Sequence, residues 1–171
     1  MSTYINWVGQ KVKSTDKSPA AGIERLPYLD RAADPVKGNL IYSSKCSVCH
    51  GVNGEGVLAP AGDVYTNPPL WGVNSFNNGA GLFRISNFAG FVKNNMPFGE
   101  ASHNAPKLTD EEAWDVAAFV ISQPRPQKDL GSDWPKLETK PIDMPFGPYA
   151  DSFSEQQHKY GPFKPIAALR K

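Results

Sequence analysis

Cys46-Ser47-Val48-Cys49-His50, followed at once by Gly51, is the stretch on which the reading of the whole chain turns. Two thiols at this spacing on a turn of helix reach the two vinyl groups along one edge of a porphyrin and form thioethers with them. The histidine directly after the second cysteine then lies under the iron and offers an imidazole nitrogen as proximal ligand. C-x-x-C-H therefore predicts one covalent c-type haem, attached through Cys46 and Cys49 and ligated by His50. Other uses of a close cysteine pair fit less well. A thioredoxin-like redox pair sits between a strand and a helix, a setting the flanking sequence lacks. A zinc site needs two more ligands at metal spacing, and the remaining histidines, His103 and His158, are isolated. A structural disulfide leaves His50 unexplained.

A length of 171 residues allows one domain with a real core plus extensions. The net charge of +1 gives no reason to expect nucleic acid or a strongly anionic partner. Both cysteines are spent in the motif, so no disulfide framework holds the fold. No apolar run approaches the ~20 residues that span a bilayer. Met1 to Trp7 lacks a basic start, an apolar centre and a small-residue cleavage site. Haem is attached to C-x-x-C-H outside the cytoplasmic membrane, so a periplasmic location is expected and a natural precursor should carry an export signal. The expected resolution is a mature or truncated chain.

Outward from the motif, Asp34-Pro35 opens a helix with Asp34 as N-cap and Pro35 at the first helical position. Gly38 and Tyr42 share one face of it, where another helix would approach closely. Before it, Tyr4 to Gly9 reads as the end of a helix and residues 10 to 33 as an extended linker, either free or docked. After the motif, Gly51 to Gly81 is rich in Gly, Pro and Asn and reads as a long loop wrapped on the cofactor. In it, the carbonyl of Pro68 is placed to accept the proximal imidazole's free N–H; alternatively Pro68 and Pro69 only shape a turn. Residues 82 to 95 have apolar positions at helical spacing (Ile85, Phe88, Val92), with a possible interruption at Gly90. The best helix starts at Thr109, with Glu112 as capping-box partner, and runs to about Gln123 with Trp114, Ala117, Ala118 and Ile121 as its buried stripe. Beyond Pro124 a Pro-rich tail carries too many aromatics for disorder, so a packed strap is expected, with one short turn at Ser154 to His158. This organisation divides into residues 1–33, 34–124 and 125–171.

The second axial position separates electron carriers from catalysts and gas binders. Met96 and Met144 lie in identical Met-Pro-Phe-Gly pieces. Met96 falls between two helices of the compact unit and Met144 in the tail, so Met96 is the favoured ligand. His103 and Lys93 are weaker candidates, the latter because it must first lose its proton. Soft thioether sulfur favours ferrous iron and raises the potential, which suits a site that passes single electrons.

Gly38, Tyr42, Cys46 to His50, Pro68-x-Leu70-x-Gly72, Met96 and the helix bearing Trp114 and Phe119 resemble, in order, a class I cytochrome c domain. That resemblance implies an all-α fold whose first and last helices cross near Gly38, and it strengthens the Pro68 reading. A narrower one covers nearly the whole chain. Pro68-Pro69-Leu70-Trp71-Gly72, Ser75-Phe76-Asn77, Gly79-Ala80-Gly81, Asn95-Met96-Pro97, Ser122-Gln123-Pro124-Arg125-Pro126 and two tail segments (146–151 and 158–163) are similar to the second haem domain of dihaem thiosulfate dehydrogenases. In that family thiosulfate is converted to tetrathionate at a first haem with a cysteine ligand, and the second haem relays electrons. Some members place a lysine beside the methionine and exchange the two on reduction. Asn95 stands at that position here, which favours plain His50/Met96 ligation. Trp71 joins the cofactor-binding set, and Arg84, or Lys93, is a candidate to neutralise a haem propionate, with ordinary surface exposure as the alternative for each.

One C-x-x-C-H stands where that family has two. The expectation is thus a relay domain, not catalytic alone, working with a preceding haem domain or another redox partner protein. The alternatives are an independent monohaem carrier and, should Met96 not coordinate, a haem enzyme or sensor.

Overall fold

The computed structural model describes residues 23–170, together with Thr3, Tyr4, Trp7 and Gln10. Apart from those single positions, the helix end expected at residues 4 to 9 and the linker as far as residue 22 lie outside the described residues.

Two crossed helices make the frame. α1 spans Pro35–Lys45, and the Asp34 carboxylate accepts the backbone N–H groups of Val36 and Lys37 at 2.8 and 3.2 Å. Those are donors the first turn cannot satisfy itself, and Pro35 has none to lose. A single turn, α2 (Ser47–His50), carries the haem motif directly after it. α3 spans Ile85–Asn95 and α4 spans Asp110–Ser122. Thr109 and Glu112 close a capping box on α4 at 3.1 and 2.9 Å. Trp114, Ala117, Ala118 and Ile121 are buried as expected, and Ala113, Asp115, Val116 and Val120 are buried with them. α4 is therefore enclosed almost all round. α1 crosses it so closely at Gly38 that a Cβ there would fall on the Asp115 backbone carbonyl. One turn on, the buried Tyr42 ring meets Phe119 at 5.4 Å between centroids.

The chain departs from the sequence reading in three places. The long loop after the motif contains a two-stranded antiparallel ribbon, β1 (Val57–Leu58) with β2 (Tyr65–Asn67), irregular between Val57 and Leu58. Almost all of its side chains are exposed, so no alternation of apolar residues announces it. Residues 82 to 95 are not one helix. A 3₁₀ turn over Gly81–Phe83 ends at an extended Arg84, and α3 then runs unbroken through Gly90. Gly90 is there because the Glu24 backbone carbonyl packs on it, where a Cβ would otherwise stand. In the tail, the turn expected near Ser154 is α5 (Glu155–Tyr160), and a further helix, α6 (Lys164–Leu169), was not legible from its pattern.

Both ends of the described chain close on α4. Leu26 and Ala33 are buried, and Trp114 Nε1 donates to the Pro27 carbonyl at 3.1 Å. The Arg31 guanidinium forks onto the Asp115 carboxylate at 2.7 and 2.9 Å. Residues 23 to 33 thus take the docked alternative. The tail answers from the other side: Phe163 packs on Tyr28 and Trp114 at 5.5 and 5.7 Å, and the Ala33 N–H donates to the Tyr160 carbonyl at 2.8 Å.

Candidate haem site

His50 is buried, and its Nδ1 lies 2.9 Å from the Pro68 carbonyl oxygen. A carbonyl can only accept, so Nδ1 carries the proton and Nε2 keeps its lone pair. Such a bond sets the plane of the ring and makes the free nitrogen a better donor to a metal. The loop that brings Pro68 over the ring is tied down locally. Gly56 N–H donates to the His50 carbonyl at 2.9 Å, and Leu70 N–H donates to the Gly54 carbonyl at 2.8 Å. Gly54 has φ of 63°, and the Trp71 indole lies where a Cβ would project, so both conformation and contact call for glycine. Trp71 in turn meets Tyr42 at 4.9 Å and Phe119 edge-on at 5.5 Å, joining the loop to α1 and α4.

The two cysteines are not joined to each other; Cys49 is exposed and Cys46 is partly buried against the core. Burial pushes the Cys46 thiol up to about 11.

The cytochrome c family matches residues 35–124. The chain belongs to the cytochrome c family. It is 44% identical over 126 residues to a thiosulfate dehydrogenase of Allochromatium vinosum, covering 74% of this chain and 44% of that protein. A thiosulfate dehydrogenase of Stutzerimonas stutzeri is 39% identical over 127 residues, covering 74% of this chain and 39% of that one. Among solved structures, the thiosulfate dehydrogenase TsdBA of Marichromatium purpuratum superposes with a TM-score of 0.65 at 32% identity, over 82% of this chain and 30% of that chain. This cytochrome c domain thus spans about two fifths of the length of the curated relatives it matches. Among the described residues no helix is long and apolar enough to cross a membrane.

As a cytochrome c domain, the chain carries one covalent haem c through Cys46 and Cys49. The residues present fit that group: two cysteines three residues apart, one capping the turn and one on it, and one imidazole held at Nδ1 with Nε2 uncommitted. When bound, the haem supplies an iron that changes oxidation state by one electron.

The other expected site residues are placed as follows. Met96 is the half-buried residue ending α3, packed against the core. Met144 is buried in the tail, and the Tyr149 hydroxyl donates to its backbone carbonyl at 3.0 Å. His103 is half exposed, 3.5 Å from Glu24. Arg84 and Lys93, the alternative candidates for a propionate partner, have carboxylate partners of their own. Arg84 pairs with the buried Asp143 at 2.7 Å, and Lys93 with Asp110. A contact the sequence reading missed is that of the Tyr42 hydroxyl, which donates to the Gly51 carbonyl at 2.6 Å and fixes the chain just beyond His50. Burial above all raises its pKa, so it remains a donor. The Gly38/Tyr42 spacing signalled a packed face, but nothing in it signalled the hydroxyl's partner.

Proposed function

We propose that this cytochrome c domain is a single-electron relay with His50 and Met96 as axial ligands, serving a thiosulfate dehydrogenase-like system. The observation that carries the ligation is the His50 Nδ1 to Pro68 carbonyl bond, which commits one ring nitrogen and leaves the other for iron. Met96 supports it by lying half-buried at the end of α3, with a proline after it. Two protein ligands kept in both oxidation states leave no open position for substrate and little to reorganise on electron transfer. The unit reads as residues 34–124, with 125–171 as a strap over it. Its partner is a second haem domain or another redox protein, and its location is the periplasm, where haem is joined to this motif.

Likeness to thiosulfate dehydrogenases supports the system assignment, and the single C-x-x-C-H in this sequence supports a relay over a catalyst. Two measurements test the reading. The oxidised protein should show a methionine-to-iron charge-transfer band that Met96→Ala abolishes; high-spin iron with rapid carbon monoxide binding in the wild type would overturn the ligation. The chain alone should not turn over thiosulfate, and should accept electrons when a catalytic haem domain of a thiosulfate dehydrogenase is added in trans. Turnover by the chain alone would contradict the relay role.

A further inference from the structure

Asn-Gly occurs twice in this sequence, at Asn53-Gly54 and Asn78-Gly79. The pair has a chemistry of its own. Glycine carries no side chain, so its backbone nitrogen can swing onto the preceding carboxamide carbon and close a five-membered ring. By sequence the two pairs are equal. The fold makes them unequal.

Asn78 is clamped. It is only 8% exposed, and both ends of its carboxamide are spent on one residue of the tail. Its Oδ1 accepts the Lys128 N–H at 2.7 Å, and its Nδ2 donates to the Lys128 carbonyl at 3.2 Å. The Gly79 nitrogen, which would have to attack, donates to the Asn77 carboxamide oxygen at 2.9 Å. Ring closure there breaks all of these bonds and turns a buried amide. Asn53 stands exposed in the turn directly after the haem motif, and its carboxamide has no hydrogen bond among the described residues. Only its main chain is tied, the Asn53 N–H donating to Glu55 Oε2 at 2.8 Å. The Gly54 N–H reaches the Gly51 carbonyl at 3.3 Å, longer than an ordinary N–H···O bond. The nucleophile is thus weakly held and the carboxamide is free to turn towards it.

We infer that Asn53 is a site of self-modification, converting to isoaspartate and aspartate in the folded protein while Asn78 is protected. The step needs only water. The Gly54 nitrogen gives its proton to solvent and bonds to Asn53 Cγ; the Cγ–Nδ2 bond breaks and ammonia leaves. Water then opens the cyclic imide. Attack at the Asn53 main-chain carbonyl leaves the chain running through Cγ, an isoaspartate, and attack at Cγ leaves aspartate. No electrons change hands. Both products set a carboxylate beside Glu55, which with Asp63 is the only Asp, Glu, Lys or Arg between Cys46 and Phe83. Isoaspartate also adds a methylene to the main chain between the His50 and Gly54 carbonyls. Those two carbonyls take the Gly56 and Leu70 N–H groups that fasten the loop over His50. The modification therefore falls where the proximal histidine's cradle is tied down.

The site itself does not depend on haem; its effect on the cradle rests on the haem reading, and the two are measured separately. The haem-loaded chain is held at pH 8 in ¹⁸O-water, folded and in concentrated urea, then digested and read by mass spectrometry. In the folded protein Asn53 should take up label at least about tenfold faster than Asn78, since each clamping bond holds Asn78 back. In urea the two should react at similar rates, because only sequence then matters. Similar rates in the folded protein, or no label at Asn53 while both react in urea, would overturn the site. Asn53→Gln should lose the early label, and its persistence would overturn the assignment. The aged fraction, separated by anion exchange, should have a lower midpoint potential than fresh protein. Asn53→Asp should reproduce the part of that shift due to charge, without the added methylene. An aged fraction with an unchanged potential would overturn the effect on the cradle. Colourless wild-type protein would overturn the haem reading, and the labelling ratio would still decide the site.

Discussion

Cys46 and Cys49 are equivalent in the motif and unequal in the fold. Cys49 is exposed, whereas Cys46 is partly buried and burial pushes its thiol up to about 11, against the smaller pull of Lys45. At pH 8 that leaves Cys46 about one part in a thousand thiolate, and thiolate is the nucleophile. In haem-free protein, iodoacetamide at pH 8 should therefore alkylate Cys49 at least about tenfold faster than Cys46, read by mass spectrometry of the two-cysteine peptide. Faster labelling of Cys46 would show that its burial is not kept without haem. At this scale the covalent chemistry was legible, because thioether formation and ligation dictate residue type and spacing. Pro68 was legible as a candidate for the same reason. The Tyr42 hydroxyl's bond to the Gly51 carbonyl was not, because helical spacing announces a packed ring and not its hydroxyl's partner.

The α1–α4 crossing shows what can be read about elements. Asp34-Pro35 and the Thr109/Glu112 box are local devices, and both stand where the sequence puts them. Gly38 is also local in sequence, though its reason lies in α4. A Cβ would meet the Asp115 backbone, with the Asp115 carbonyl carbon at 2.6 Å and Phe119 Cβ at 2.8 Å, and neither can swing away as a flexible side chain would. Gly38→Ala gains up to ~1 kcal/mol of helix propensity and must push two helices apart. A net loss of about 2 kcal/mol is expected, measured as a lower denaturation midpoint in urea with an unchanged slope. Equal or greater stability would mean that the crossing is looser than the structure has it. By contrast, the start of α3 could not be read at all. Arg84 provides no side-chain cap, and the Ser86 N–H is taken by Asp143 at 3.2 Å, a cap from 57 residues downstream. Capping rules search a window of a few residues, and no such window contains Asp143.

Over the whole molecule, the tail acts as a clasp. Asp143 caps α3 and neutralises Arg84, Phe163 and Ile166 seal the core, and Lys140 is buried with its ammonium on the Phe146 and Pro148 carbonyls at 2.7 and 3.1 Å. The knot that holds the far end is Asp151. Its carboxylate meets His158 Nε2 at 2.8 Å, Arg170 Nη2 at 3.3 Å and the Phe153 N–H at 3.2 Å, while His158 Nδ1 lies 2.7 Å from the Ile142 carbonyl. Burial alone would raise the Asp151 pKa, but the bonds from His158 and the Phe153 N–H outweigh it and hold the carboxyl below its ordinary value. A carboxyl lowered in the folded state stabilises fully above its unfolded value of about 3.9, and that contribution is lost as pH falls through the lower folded value. The clasp should therefore stay shut from neutral pH to about pH 4 and loosen below it. Hydrogen exchange of the amides in 142–170, compared between pH 7 and pH 3 after correction for intrinsic rates, should show the protection drop. Asp151→Asn should start less protected at pH 7 and lose less on acidification, because the group that titrates is gone. Equal losses in wild type and variant would place the acid sensitivity elsewhere, the lowered Glu112 carboxyl at the start of α4 being the next to test.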